Sequence, residues 1–288
     1  MGNKVNGTLL VIGGAEDKQG KCEILSDFIR LAGGPKAHVV IITTAALESD
    51  RVGKKYYDLF EGLGAGTVEV LDLDSRKKAN NRSVVMKMAK ATGIFFTGGD
   101  QLRITSILGG TTANEALQKA YRSGAVIAGT SAGASVMSNT MIVEGDNDEA
   151  PKLNTIKLAP GLGLLEEVVI DQHFAQRGRL GRLLSAVAHN PYILGMGIDE
   201  DTAVIIRADA KLEIIGSQTV TFVDGRGVSF TNVSELSPGQ ALAIDNVVLH
   251  VLPKGYGFDL AARMLVNSEM CGELKEGEKN GDNRNQSS

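Results

Sequence analysis

Short apolar segments alternate with amphipathic segments through the first 200 residues, and this alternation constrains the fold more than any other feature of the chain. The apolar segments predict β-strands at residues 8–12, 38–43, 67–71, 93–97, 125–128, 168–171 and 193–198. The amphipathic segments predict helices near residues 23–31, 50–63, 83–91, 113–122 and 180–189. Continuously apolar strands that are separated by helices are typical of a parallel sheet covered on both faces.

The pattern changes beyond Thr202, where the predicted strands follow one another closely at residues 202–207, 211–215, 217–223 and 241–252. They predict an antiparallel, β-rich C-terminal addition over about residues 202–254. The expected fold class is therefore α/β, with a mostly parallel sheet similar to that of glutamine amidotransferases and flavodoxins. Residues 1–271 are expected to form a single domain, and the polar tail 272–288 is expected to be disordered.

Composition and charge exclude several classes of function. The chain of 288 residues has a net charge of −4 and no lysine- or arginine-rich run, so no nucleic-acid partner is expected. No apolar run reaches the roughly 20 residues of a membrane span, and no signal peptide is expected. Cys22 and Cys271 lie far apart and outside any Cys-x-x-Cys motif, which predicts no disulfide framework and favours a cytoplasmic location.

A candidate nucleophile lies in the sequence Gly-Thr-Ser-Ala-Gly at residues 129–133. An apolar predicted strand precedes it, and a segment able to open a helix follows. A serine between a strand and a helix is held on a sharp turn with its hydroxyl clear of the sheet, which is the geometry of a nucleophile elbow. The alternative is an ordinary glycine-rich turn, but the flanking segments favour Ser131 as a nucleophile.

A serine nucleophile needs a base, and only His173 of the four histidines follows a predicted strand at the edge where Ser131 lies. The alternative is a hydrogen-bonded loop histidine. A carboxylate to orient the base is expected from residues 199–201, Asp-Glu-Asp, and the spacing does not choose among them; Asp100 and Asp171 are weaker candidates. The histidines and cysteines show no metal-ligand spacing, so neither a metal nor an organic cofactor is expected.

Acyl transfer also needs hydrogen-bond donors for an oxyanion. The backbone N–H of Ala132, directly after the serine, is one candidate. A second is expected from the glycine pair that ends in Gly99, although a plain turn would have the same sequence. The pair Gly13 and Gly14 is equally ambiguous, and its sequence fits neither a dinucleotide-binding nor a phosphate-loop motif.

Arg177, Arg179 and Arg182 cluster where a helix is predicted to begin. The helix dipole disfavours positive charge there by about 0.3–1 kcal/mol per residue. Arginines placed against this preference suggest that they bind carboxylates of a substrate, and the alternative is a solvated helix face.

The combination of these segments resembles the cyanophycinases and, more distantly, the aspartyl dipeptidases of the same serine-peptidase family. The resemblance extends over roughly residues 8–260. The matching segments are residues 13–17, 97–101, 129–133, 171–174 with the three arginines, 197–203 and 249–252.

The resemblance implies that Ser131 is the nucleophile, His173 the base and Glu200 the orienting acid. It places the substrate pocket at Gln101, Asp171, Gln172, Arg177, Arg179 and Arg182. The implied substrate is cyanophycin, a poly-aspartate whose side chains carry arginine through isopeptide bonds, and the implied product is β-aspartyl-arginine. The resemblance also implies a homodimer.

Two other functions stay open. An aspartyl dipeptidase would act on small acidic dipeptides, but it would not need an arginine cluster together with Asp171. A non-catalytic module that binds an anion would not need Ser131, His173 and Glu200 together.

Overall fold

The structure, a computed structural model, describes residues 6–145, 150–152 and 156–266. Its β-strands are β1 (Thr8–Ile12), β2 (His38–Ile42), β3 (Thr67–Leu71), β4 (Gly93–Phe96), β5 (Val126–Thr130), β6 (Thr140–Gly145), β7 (Ile156–Pro160), β8 (Val168–Gln172), β9 (Leu194–Ile198), β10 (Thr202–Ile206), β11 (Lys211–Gly216), β12 (Thr219–Asp224), β13 (Val248–Pro253), β14 (Gly257–Asp259) and β15 (Met264–Val266). Its α-helices are α1 (Glu23–Leu31), α2 (Ser49–Gly62), α3 (Arg76–Ala79), α4 (Arg82–Lys90), α5 (Gln101–Leu108), α6 (Thr112–Arg122), α7 (Ala132–Ser135) and α8 (Leu180–His189).

A large central sheet organises the described part of the chain, with the strand order β15-β14-β11-β10-β1-β5-β4-β2-β3. The half of the sheet with the order β1-β5-β4-β2-β3 is parallel, and Leu9 of β1 lies opposite Ile127 of β5. On its other edge β1 pairs antiparallel with β10, and β11, β14 and β15 continue that antiparallel half. The predicted α/β class with a mostly parallel sheet and a β-rich C-terminal part is therefore confirmed.

Two strands expected in the parallel sheet lie elsewhere. β8 and β9 are parallel to each other, but they belong to a second sheet with the order β13-β12-β9-β8. Both edges of β1 are already occupied by β5 and β10, so the central sheet offers β8 and β9 no place beside it. The chain returns from the second sheet to the central one through residues 199–201, between β9 and β10.

The core fills both faces of the central sheet because the inner strands β1, β4 and β5 are buried at nearly every position. Alternate residues of β1 point to opposite faces, so that Leu9 and Leu10 belong to different apolar clusters. Phe28 of α1 and Phe60 of α2 pack against Phe95 with ring centroids 5.5 and 5.1 Å apart. Full burial of such a ring stabilises the fold by about 1.5–3 kcal/mol.

The sequence pattern missed some elements and overextended others. Helix α5 was not predicted, although the carboxylate of Asp100 caps it by accepting a hydrogen bond from the backbone N–H of Leu102 at 2.8 Å. The hairpin of β6 and β7 was also missed. The strand expected at 241–252 is confined to Val248–Pro253.

The predicted disordered tail, 272–288, lies outside the described residues. No helix in the described part of the chain is long and apolar enough to cross a membrane.

Candidate active site

Ser131 occupies the sharp turn between β5 and α7. Its backbone has φ 53° and ψ −114°, a conformation that costs strain for any residue with a side chain. Two neighbouring glycines make the turn possible: a Cβ on Gly129 would lie 2.3 Å from the carbonyl oxygen of Gly133, and one on Gly133 would lie 2.4 Å from that of Phe96. The strand, turn and helix expected around Ser131 are present, and α7 is only a single turn long.

His173 approaches Ser131 from the end of β8, in the second sheet. Its Nε2 lies 3.0 Å from Oγ of Ser131, and Oε1 of Gln172 lies 3.3 Å from the same hydroxyl. The backbone N–H of His173 donates to the carbonyl of Gly13 at 2.8 Å, which fixes the base against the loop after β1. The serine hydroxyl can therefore donate a hydrogen bond to the imidazole.

Glu200 is the carboxylate that contacts His173, with Oε1 2.6 Å from Nδ1. The two flanking carboxylates accept hydrogen bonds from backbone N–H groups instead. Asp199 is buried and accepts hydrogen bonds from the first residue of β12, and Asp201 accepts one from a backbone amide of the loop after β1. The structure thus makes the choice that sequence spacing left open, because only the middle residue of the turn points to the imidazole.

Burial lowers the pKa of His173 below its ordinary value of about 6.5. The hydrogen bond and the negative charge of Glu200 raise it, and the positive charges of Arg177 and Arg179 lower it further. The lowering causes outweigh the raising ones, so the imidazole is neutral at pH 7. A neutral imidazole can accept a proton from a serine hydroxyl.

The loop at Gly13 and Gly14 supports the imidazole directly. Gly14 has φ +101°, and a Cβ placed there would lie 2.3 Å from Cε1 and 2.5 Å from Nε2 of His173. Its carbonyl accepts a hydrogen bond from the backbone N–H of Asp201 at 2.9 Å. This glycine pair, whose purpose the sequence did not reveal, therefore holds the His173 ring and the Glu200 turn against β1.

Glu16 is a buried carboxylate that sequence reasoning did not single out. Its Oε2 accepts a hydrogen bond from Thr130, the residue before the serine, at 2.6 Å. Its Oε1 accepts one from the hydroxyl of Tyr56 at 2.5 Å and lies 2.9 Å from Nζ of Lys18. Burial, with the adjacent carboxylate, raises the pKa of Tyr56 well above its ordinary value. A glutamate directly after a glycine pair at the end of a buried strand was the available signal.

The expected oxyanion donors lie beside the serine. Ala132 is the first residue of α7, where backbone N–H groups have no partner within the helix. The Gly98 and Gly99 loop runs next to the turn, since a Cβ on Gly98 would lie 3.4 Å from Cβ of Ser131. Both segments therefore flank the serine turn.

Asp171, Arg179 and Arg182 form a buried ion-pair cluster, and each is at most 6% exposed. Arg182 makes a two-pronged contact with Asp171, with Nε 2.6 Å from one carboxylate oxygen and Nη2 2.5 Å from the other. Arg179 donates to the same carboxylate at 3.2 Å, and burial lowers its pKa to about 10. The sequence interpretation gave these arginines only substrate carboxylates as partners. Instead, they first neutralise Asp171, so a substrate would meet an existing ion-pair cluster rather than free charges.

Arg177 and Gln101 are placed differently from that cluster. Arg177 is exposed, at the end of a short 3₁₀ turn after His173. The side-chain N–H₂ of Gln101 donates to the carbonyls of Ile142 and Val143 at 3.1 and 2.9 Å. Gln101 therefore joins α5 to the β6–β7 hairpin beside the site.

Each of the other histidines has a structural contact. His38, at the start of β2, lies 2.9 Å from Glu69. His189 bonds the carbonyl one turn earlier in α8, and His250 packs edge-on against Phe258. Within the residues that the structure describes, no group of histidine, cysteine, aspartate or glutamate side chains is arranged to hold a metal ion.

Known proteins similar to this chain agree with one another. The family model described as Peptidase family S51 matches residues 9–214. A cyanophycinase from Nostoc sp. is 42% identical over 259 residues, which cover 90% of this chain and 87% of the relative. A cyanophycinase from Synechococcus elongatus is 40% identical over 255 residues, which cover 88% and 79%.

A solved structure shares the fold. The peptidase from an acI-B1 actinobacterium superposes with a TM-score of 0.65 at 21% identity, over 90% of this chain and 98% of that one. The family match covers more than half of the chain, and the curated relatives exceed 30% identity. The chain therefore belongs to peptidase family S51 and is a serine-type peptidase.

Proposed function

We propose that this protein is a cyanophycinase, an exopeptidase that hydrolyses cyanophycin to β-aspartyl-arginine dipeptides. The observation that carries the proposal is the hydrogen-bonded series from Ser131 through His173 to Glu200, at 3.0 and 2.6 Å. The substrate follows from the cyanophycinases that are about 40% identical over most of the chain.

Hydrolysis begins as Oγ of Ser131 attacks the scissile carbonyl carbon and Nε2 of His173 takes the hydroxyl proton. Glu200 accepts the Nδ1–H hydrogen bond and stabilises the imidazolium. The oxyanion that forms is stabilised by the N–H of Ala132 and by the Gly99 loop. When the C–N bond breaks, His173 gives its proton to the leaving amine and an acyl-enzyme remains.

Water then completes the reaction. His173 takes a proton from the water as its oxygen attacks the acyl carbon, and the proton passes to Oγ of Ser131 when the ester bond breaks. The neutral imidazole that burial favours is the required starting state for both halves.

Substrate recognition is proposed on the His173 side of the serine, at Gln101, Asp171, Gln172, Arg177, Arg179 and Arg182. Arg177 is exposed and can meet the α-carboxylate of a substrate arginine. The buried cluster of Asp171 with Arg179 and Arg182 holds a fixed pattern of charges beneath Gln172, because Arg179 also donates to the Gln172 carbonyl.

We also propose a homodimer, which the resemblance implies, a cytoplasmic location, which the cysteine usage favours, and a single domain over residues 1–271. Light scattering coupled to gel filtration tests the dimer, and a monomer at micromolar concentration would contradict it.

Clearing of a cyanophycin suspension, with mass spectrometry of the soluble product, tests the function. The expected product is β-aspartyl-arginine, and Ser131→Ala should lose turnover by up to about 10⁶-fold, as when a serine protease loses its nucleophile. A fluorophosphonate should label the parent protein and not the variant. Hydrolysis of small aspartyl dipeptides without clearing of the polymer would replace the proposal with an aspartyl dipeptidase. Normal turnover in Ser131→Ala would refute the assignment of the nucleophile.

A further inference from the structure

A cavity of about 470 Å³ opens on Ser131, and its lining residues are not among those that the resemblance assigned to the substrate pocket. The loop after β1 forms one wall with Glu16 and Lys18, and helix α2 forms the other with Arg51 and Lys55. None of the three arginines that follow His173 lines it. The cavity reaches the serine turn and the Gly98 loop, and none of the six proposed substrate-binding residues lines it.

The cavity adjoins the loop after β1 that supports the ring of His173. Its lining includes Ala15, the residue after Gly14, and Gly14 contacts the ring of His173. His173 must donate to the departing nitrogen during acylation. A chain segment that extends from that nitrogen along the Gly14 and Ala15 loop enters the cavity.

The walls of the cavity are cationic. Lys18, Arg51 and Lys55 carry three positive charges, and the carboxylate of Glu16 offsets one of them, which leaves a net charge of +2. Lys18 directs its ammonium to Oε1 and to the backbone carbonyl of Glu16, at 2.9 and 3.1 Å. An ammonium has three donors, so one of them is left for a ligand.

Helix α2 adds two exposed positive charges to the lining, those of Arg51 and Lys55. Arg51 pairs with Glu48 on the surface, and both side chains are largely exposed. Such exposed pairs contribute little energy and exchange readily for another anion. Lys55 is also exposed. With Lys18 held by Glu16 and two exposed cations on helix α2, the cavity suits a ligand with more than one carboxylate.

We propose that this cavity is the leaving-group subsite and that Lys18, Arg51 and Lys55 bind the carboxylates of the β-aspartyl-arginine unit on the amine side of the scissile bond. This inference depends on the proposed function. A chain-terminal unit carries two carboxylates and one guanidinium, a net charge of −1 while its nitrogen is still an amide. The lining, with three cations and the Glu16 carboxylate, has a net charge of +2 and so attracts a unit of net charge −1.

Kinetics on paired substrates test the subsite. The substrates are a soluble trimer of β-aspartyl-arginine with a free main-chain carboxylate and the same trimer with a terminal amide. The variants are Lys18→Met and the double change Arg51→Ala with Lys55→Ala. Lys54→Ala is the matched control, because Lys54 is exposed on the same helix, pairs with Asp58 at 3.0 Å and lies outside the cavity lining.

We expect the parent protein and Lys54→Ala to prefer the free acid over the amide by about tenfold in kcat/KM, the lower range for one charge-assisted contact. Both cavity variants should lose most of this preference. A fluorophosphonate, which has no peptide leaving group, reports whether Ser131 is still reactive in each variant.

The outcomes separate the two proposals. If the parent protein cleaves the trimers and the acid-to-amide ratio stays the same in both cavity variants, the subsite is refuted while the peptidase proposal stands. If the parent protein is labelled by the fluorophosphonate but cleaves neither trimer nor polymer, the proposed function itself fails.

Discussion

Replacing Gly14 with alanine should disable His173 while leaving the fold intact. A Cβ at Gly14 would lie 2.3 Å from Cε1 of the imidazole, about 1.1 Å short of an ordinary 3.4 Å contact. The backbone around Gly14 cannot yield easily, because its carbonyl is bonded to the N–H of Asp201. The ring must therefore move by about 1 Å, and a misplacement of that size costs about 100-fold in turnover.

The matched control is Gly124→Ala. Gly124 has φ +111°, close to the +101° of Gly14, but nothing lies within 4 Å of a Cβ placed there. Both variants carry the same backbone strain of about 1–2 kcal/mol, since alanine disfavours a positive φ. Only Gly14→Ala adds the collision with His173.

Urea unfolding and steady-state kinetics separate the two effects. Both variants should lose a similar free energy of unfolding, and only Gly14→Ala should lose kcat. If Gly14→Ala keeps a kcat within twofold of Gly124→Ala, the His173 ring is not held by the glycine loop and the argument is wrong.

Two further predictions follow from the charges around His173. Because burial lowers the pKa of His173 and the base must be neutral, kcat/KM should rise with pH through a midpoint below 6.5. Arg177→Gln removes a positive charge and should shift that midpoint upward. The pH–rate profiles of the two proteins check this, and an unchanged or lower midpoint in the variant would contradict it. Asp171→Asn should lower the free energy of unfolding by about 3–5 kcal/mol, since it leaves Arg179 and Arg182 buried without their shared carboxylate. Urea titration measures this free energy. A decrease below about 1 kcal/mol would mean that the cluster is open to water.

Local patterns in the sequence predicted Ser131 and His173 because each follows a short apolar strand. The expected reason, a shared edge of one parallel sheet, was wrong for His173, because β8 belongs to the second sheet. His173 meets Ser131 because its backbone N–H bonds the carbonyl of Gly13 at the end of β1, the neighbour of β5. Glu200 could not be chosen in this way. Asp199 and Asp201 follow the same strand, and only the course of the turn decides which side chain meets the imidazole.

The ion pairs of Asp171 with Arg179 and Arg182 were beyond sequence reasoning for a related reason. The partners are 8 and 11 residues apart, across a turn whose path no periodic pattern specifies. The placement of β8 and β9 in a second sheet was also unpredictable, because the sequence pattern of two parallel strands is the same whichever sheet they belong to. It depends on β10, which follows them in the chain and pairs with the edge of β1.

The division of the site between two sheets has a consequence for how activity is gained during folding. Ser131 belongs to the central sheet, His173 follows a strand of the second sheet, and Glu200 lies on the segment that connects them. The strands β1 to β5 can pair before the second sheet docks, because their contacts close earlier in the chain. Activity therefore requires both sheets to be in place, and its return on refolding would report the docking of the second sheet against the loop of Gly13 and Gly14.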